Sequence, residues 1–371
     1  MGRDDRAVRQ EVREFLRRER AAGTWKPSVD SWLKGHSPAF SRRCAEAGFV
    51  GMTWPRRYGG GERHPWERFA ANEELLAAGA PVAAHWVAEN QCGPLLLHLG
   101  SASQKEQLLP RIARSELFVA AGLSEPDTGS DLASLRTTAK RVAGGWRVHG
   151  RKLWSSNAHR NHWLLALVRT APRSVNRHEG LTQLFVDLAA PGVQVRPIPA
   201  MGEPAGFAEV LLDDVFVPDE MVVGEPGQGW AQVSMMLSFE RSGPERYLST
   251  FTLLRELLAR PDLTEGIERE LGELVARWWA VRALALRVQR LVEGGGDPQL
   301  QGAMGKAAGA RVEQDVAEVG RLALATHPGI APPALEAMVH QAQLVAPGFT
   351  IRGGSLQVLN NVIAKGLARE H

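Results

Sequence analysis

Two short stretches of the chain gather residue types suited to chemistry. The first is Gly122-Leu-Ser-Glu-Pro-Asp-Thr-Gly-Ser-Asp131. Read from residue types alone it is an irregular loop of tight turns, and a structural turn is its plainest role. The same loop offers backbone N–H groups and hydroxyls in one place, which suits a polar ring edge or a phosphate. The second, Lys152-Leu-Trp-Ser-Ser-Asn157, lies about thirty residues further on; its Trp154, taken alone, reads as a core aromatic. Elsewhere, Glu240 and Arg241 stand side by side in a helical pattern, where an isolated acid ordinarily pairs with a base such as Arg241 or Arg246.

Other common chemistries are disfavoured. No Gly-x-Gly-x-x-Gly follows a strand and opens a helix, so a Rossmann nucleotide site is unsupported. Gly302-Ala-Met-Gly-Lys306 has the wrong spacing for a phosphate loop and lacks its Ser or Thr; it reads as a small-residue helix face. His159 and His162 are three apart with no third ligand placed near them, so no metal site is expected.

The elements that must position these residues fall into three blocks. Residues 1–117 read as helical: Val8, Val12, Phe15 and Leu16 share one face, and a further helical pattern runs from Glu67 to Ala78. Trp54-Pro-Arg-Arg-Tyr-Gly-Gly-Gly61 is a turn-rich break. A helix starts near Ser103 and stops near Pro110 or shortly after. Residues 118–222 read as a β domain of antiparallel strands around Val142–Gly150, His162–Thr170, Leu181–Leu188, Val193–Pro199 and Phe207–Pro218. Residues 223–371 return to helices. One covers Gln228 to Ser242, one runs to about Val292 and ends at Gly294-Gly-Gly-Asp-Pro298, and one covers Gln299 to roughly Ala325. Thr326 to Pro333 reads as a loop, and a last helix begins near Ser355. The fold class is α+β.

At 371 residues the chain exceeds one simple core. A formal net charge of +3 is too small to argue for nucleic acid. The two cysteines, Cys44 and Cys92, read as buried thiols rather than a disulfide framework, which fits a reducing cytoplasm. No apolar run reaches the roughly 18 residues of a membrane helix, and no export signal is seen at the start.

The stretch from Gly122 to Asp131 resembles the flavin-contacting signature of acyl-CoA dehydrogenases, with Asp127 and Thr128 where small residues are common. Lys152 to Asn157 resembles the second element of that family at the right distance. The similarity continues through Trp54 to Gly60, Gln104 to Pro110, Phe207 to Gly229 and Gly348 to His371, collinear over nearly the whole chain. The resemblance implies an N-terminal helical domain, a central β domain and a C-terminal four-helix bundle, with FAD between the last two. It implies that Leu123 and Ser124 contact the ring edge and that Gly129 and Ser130 lie near flavin or CoA phosphates. Trp154 and Ser155 would pack on the ring system, Ser156 would reach N5, and Ser355 and Gln357 would complete the flavin side.

The reaction implied is α,β-dehydrogenation of an acyl-CoA thioester, which needs a carboxylate base. In many members that acid lies in a C-terminal Tyr-Glu-Gly-Thr; here Ile351-Arg-Gly-Gly-Ser355 puts Gly353 in its place. A subset that includes isovaleryl- and long-chain enzymes carries the acid on a bundle helix just before an Arg. Phe239-Glu240-Arg241 matches that position, so Glu240 is expected as base, with Arg241 orienting it or touching substrate. The Gly353 N–H would donate to the thioester oxygen. Two motifs that grip FAD's adenosine from a neighbouring subunit are absent: the corresponding regions read Arg260-Pro-Asp-Leu-Thr and Thr326-His-Pro-Gly-Ile. The resemblance implies a homodimer or homotetramer with an electron-transfer flavoprotein as acceptor, or a heteromer in which this chain completes another chain's site without catalysis of its own. The same fold also accommodates an acyl-CoA oxidase, an enoyl-CoA reductase or a flavin monooxygenase.

Overall fold

The computed structural model describes residues 5–201, 206–326 and 332–370; the side chains of 238–242, 369 and 370 lie outside the described set. Backbone proximity divides the chain into two compact units, Met1–Gly35 with Pro65–Val82 and Glu240–His371, and His36–His64 with Ala83–Phe239.

The helices of the N-terminal third are α1 (Arg6–Ala21), α2 (Ser31–Lys34), α3 (Pro38–Glu46), α4 (Pro65–Ala77), α5 (Ala83–Val87), α6 (Gly93–Leu99) and α7 (Ala102–Ala113). The face anticipated on α1 is the buried one: Val8, Val12, Phe15 and Leu16 all face inward. Helix α7 starts in a full capping box, with the Ser101 side chain accepting from the Gln104 N–H and the Gln104 side chain accepting from the Ser101 N–H. It runs past Pro110 to Ala113. The Gln104 amide also donates to the Glu220 and Val222 carbonyls at 2.8 and 2.7 Å, tying the helix start to the end of the sheet.

The sheet is built from β1 (Val119–Gly122), β2 (Thr138–Val142), β3 (Gly145–Ser156), β4 (Trp163–Arg169), β5 (Leu181–Asp187), β6 (Val193–Ile198) and β7 (Phe207–Pro218). The order is β1-β4-β2-β3-β7-β6, and β5 pairs β4 off this path. The hairpins are antiparallel as expected, but β1 pairs with β4 in parallel, so the sheet is mixed. Strand β1 is four residues long and too short to show a period, which is why it escapes a reading from pattern. Leu164 to Val168 of β4 are buried without alternation, because helices and sheet cover both faces. Trp54 is fully buried against Gly93, where an added Cβ would fall 2.0 Å from the indole. Gly60 packs on the Trp54 backbone, where an added Cβ would fall 2.2 Å from the Trp54 carbonyl oxygen.

The remaining helices are α8 (Gly229–Ser242), α9 (Phe251–Leu258), α10 (Glu265–Glu293), α11 (Gln299–Thr326), α12 (Pro333–Phe349) and α13 (Leu356–Glu370). Helices α10 and α11 pack against each other, and Gly309 lets α11 approach the Arg246 carbonyl, where a Cβ would sit at 2.1 Å. Helix α12 was not expected. Its prolines mask it: Pro332 and Pro333 occupy the cap and first helical position, where proline is tolerated, and Pro347 falls in the last turn.

Candidate functional site

In the second unit the loop after β1 lies against β3. The Leu153 N–H donates to the Ser124 carbonyl at 2.8 Å, so the two stretches singled out from sequence run edge to edge. The loop closes on itself through reciprocal bonds, Glu125 N–H to the Thr128 carbonyl at 2.8 Å and Thr128 N–H to the Glu125 carbonyl at 3.1 Å. Beneath it sits a buried ion pair that sequence reading did not assign. The Lys152 ammonium, 0% exposed, meets Glu125 Oε1 at 2.7 Å and also donates to the Leu123 carbonyl at 3.3 Å. Glu125 further accepts the N–H groups of Arg136 and Thr137 at 2.7 and 3.0 Å. Burial pulls Lys152 down to about 8 against the opposing pull of Glu125. Burial likewise pushes Glu125 upward, but the Lys152 charge and the hydrogen bonds outweigh it and hold the carboxyl below its ordinary value. Both residues stood inside the quoted stretches; an acid and a lysine placed at two segments that must touch was the available signal.

Strand β3 pairs with β7 with two breaks of register, one between Val148 and Gly150 and one between Lys152 and Ser155. The second break turns Leu153 and Trp154 out of the ladder. Trp154 takes a left-handed backbone, φ 60°, rare for a bulky residue, and its indole is 53% exposed, meeting Phe207 edge-on at 5.9 Å. Ser155 and Thr128 are buried, and among the described residues neither hydroxyl finds a partner. Ser124, Leu123 and Ser156 are half-buried, whereas Gly129 and Ser130 are exposed at the loop tip, where a Cβ on Gly129 would meet nothing within 4 Å. A strained, presented aromatic, unpartnered buried hydroxyls and an open glycine tip fit a flat polar ring with an anionic tail. Leu123, Ser124, Trp154, Ser155 and Ser156 are thus gathered in one place.

The other expected site residues belong to the first unit. Helix α8 carries Glu240 and Arg241 in its last turn; both side chains lie outside the described residues. Gly353 and Gly354 have φ 67° and 98°, left-handed values that glycine adopts at low cost, in the turn between α12 and α13. Arg352 fixes that turn. Its guanidinium makes a fork with the Asp30 carboxylate at 2.6 and 2.7 Å and lies over the rings of Trp32 and Phe349. Ser355 Oγ accepts from the Val358 N–H at 3.4 Å at the start of α13, and Gln357 is exposed. Met236 is fully buried and Met235 half-buried against the second unit's core, so both serve helix packing. Cys44 and Cys92 are buried thiols that are not joined in a disulfide. Among the described residues, no group of His, Cys, Asp and Glu could hold a metal ion and no helix is long and apolar enough to cross a membrane.

Comparison with known proteins gives matches along most of the chain. Family profiles for the acyl-CoA dehydrogenase N-terminal, middle and C-terminal domains match residues 2–116, 120–215 and 262–368. The acyl-CoA dehydrogenase IpdE1 of Mycobacterium tuberculosis is 35% identical over 345 residues, covering 90% of this chain and 88% of that protein. The acyl-CoA dehydrogenase FadE34 of the same organism is 37% identical over 281 residues; the match covers 74% of this chain but only 38% of that longer protein. Among solved structures, the ChsE4-ChsE5 complex from Mycobacterium tuberculosis superposes with a TM-score of 0.81 at 25% identity, covering 98% of this chain and 97% of the matched one.

Proposed function

The chain belongs to the acyl-CoA dehydrogenase family, whose members are flavin-dependent oxidoreductases, and on that premise we propose FAD-dependent α,β-dehydrogenation of an acyl-CoA thioester with Glu240 as base. The observation that carries this reading is the edge-to-edge pairing of Ser124 with Leu153 over the buried Glu125–Lys152 pair. It aligns the loop backbone of Leu123 and Ser124 with the presented face of Trp154 and the hydroxyl of Ser156.

When bound, the flavin supplies the hydride acceptor. Trp154 packs on the ring system and Ser156 donates its hydroxyl to the ring edge. Ser130 and Gly129 meet phosphate at the loop tip. Glu240 takes the α-proton onto its carboxylate, and Arg241 holds that carboxylate in line or touches substrate. The Gly353 N–H donates to the thioester oxygen as charge gathers there, a role that needs no side chain. Ser355 and Gln357, at the start of α13, are the proposed further contacts to the flavin. The α-proton is weakly acidic, so donor and base must act together.

An electron-transfer flavoprotein is the proposed acceptor. The departures at 260–264 and 326–330 favour a second reading for the assembly. In that reading the chain pairs with a different subunit that supplies the adenosine grip, as the two-chain complex among its structural neighbours suggests. Purifying the chain alone tests both. A yellow protein bleached by an acyl-CoA thioester without air supports a self-sufficient enzyme. A colourless protein that takes up no added FAD points to the heteromer and sinks the self-sufficient reading.

A further inference from the structure

The first unit contains a cleft of about 630 Å³ between α1, α4, α9 and α10, inside the range of roughly 300–1,000 Å³ typical of small-molecule sites. None of the residues assigned above to flavin or thioester lines it. One wall is basic: Arg9, Arg13, Arg17 and Arg20 recur along one stripe of α1. The other is aromatic, with Phe251 of α9 and Trp278 and Trp279 of α10.

The floor is already charge-compensated. Glu73 accepts from Arg9 at 2.6 Å, from Arg282 at 2.7 and 2.9 Å and from the Tyr247 hydroxyl at 2.7 Å. Glu74 takes Arg9 and Arg13 at 3.0 and 2.7 Å. Arg17 and Arg20 differ. They stand one turn apart, exposed, and among the described residues neither meets an acid. Two such guanidiniums repel unless an anion joins them, and their planar forks match phosphate oxygens. The aromatic wall is rigid. Trp278 donates its indole N–H to the Tyr247 carbonyl at 3.0 Å and stacks on Phe251 at 4.8 Å. Trp279 is 56% exposed, with the Arg282 guanidinium 5.3 Å from its ring centre. A large exposed indole on a fixed platform is well suited to stacking on a planar ring.

We propose that this cleft binds an adenosine diphosphate group, phosphates on Arg17 and Arg20 and purine against the Trp278–Trp279 wall. The group can come from a free nucleotide or from the ADP portion of coenzyme A. The cleft's small-molecule volume favours this over an acidic polypeptide, which would engage the same cations along a more open face. The inference does not rest on the assignment of Glu240 or of the flavin residues.

Calorimetric titration of the full chain with ADP, inorganic pyrophosphate and coenzyme A tests it, in wild type, Arg17→Glu/Arg20→Glu and Trp279→Ala. ADP should bind saturably, weakened about tenfold or more by either variant. Pyrophosphate binding should fall with the arginine variant and ignore Trp279→Ala. A coenzyme A isotherm with a component sensitive to both variants makes the coenzyme one source; an insensitive one assigns the cleft to free nucleotide. Circular dichroism melts check folding, and Arg17→Gln/Arg20→Gln replaces the double reversal if that fails to fold. No saturable ADP binding, or equal ADP affinity in wild type and both variants, overturns the proposal. So does variant-sensitive binding of a Glu-rich peptide where ADP does not bind.

Discussion

Replacing Glu125 by Gln should be the most damaging single change in the second unit that touches no reacting atom. It leaves the fully buried Lys152 ammonium without its carboxylate and with the Leu123 carbonyl at 3.3 Å. Even with Glu125 present, burial pulls Lys152 from 10.5 to about 8, a drop that corresponds to on the order of 3 kcal/mol of desolvation not recovered at pH 7. Taking away the partner of a buried charge costs about 3–5 kcal/mol. Lys152→Met should cost less, because Glu125 keeps the N–H donors of Arg136 and Thr137. The double variant should be more stable than Glu125→Gln alone. Urea unfolding midpoints at pH 7 measure all three. A Glu125→Gln chain within about 1 kcal/mol of wild type, or no less stable than Lys152→Met, would refute the reasoning. The pH dependence has a definite sign. Between about 8 and 10.5 the unfolded chain still holds the lysine proton that the folded chain has released, so wild-type stability should rise relative to Lys152→Met by ~3 kcal/mol across that window. A flat or falling difference contradicts it.

Trp154→Ala should weaken FAD binding about tenfold, since a stacked aromatic contributes on the order of 1 kcal/mol beyond its burial. Alanine keeps the left-handed backbone and the lost indole is 53% exposed, so apoprotein stability should change by less than about 1 kcal/mol. Equal FAD affinity in a fluorescence titration counts against the contact. Restoring an acid with Gly353→Glu in a Glu240→Gln background should not recover activity. A side chain at φ 67° costs about 1–2 kcal/mol and would disturb the turn that Arg352 pins to Asp30. Regained anaerobic bleaching would show that the turn accepts the acid.

Much of the fold was readable because its signals are local. The inward face of α1, the Gly-rich end of α10 and the strands around Trp146, Leu184 and Val210 all follow from spacing or β-branched runs. Strand β1 was hidden by its length and its parallel pairing with β4, a long-range contact with no sequence period. Helix α12 was hidden by prolines that happen to sit at helix ends. At the site, resemblance located the loop, but not what holds it. The Glu125–Lys152 pair and the bulge at Trp154 exist only once β3 and the loop meet. The cleft under α1 was invisible for the same reason: Arg17 and Trp279 are far apart in sequence, and each alone reads as surface.

The central claim is that this chain uses Glu240 to remove the α-proton of an acyl-CoA thioester beside a flavin held at Trp154 and Ser156. Anaerobic stopped-flow reduction tests it most directly, with FAD-loaded wild type and Glu240→Gln mixed with a panel of acyl-CoA thioesters and flavin absorbance followed. The account predicts bleaching in the wild type by at least one thioester. In Glu240→Gln it predicts a rate lower by about 10²–10⁴-fold with FAD still bound. Equal bleaching rates in the two proteins would contradict it.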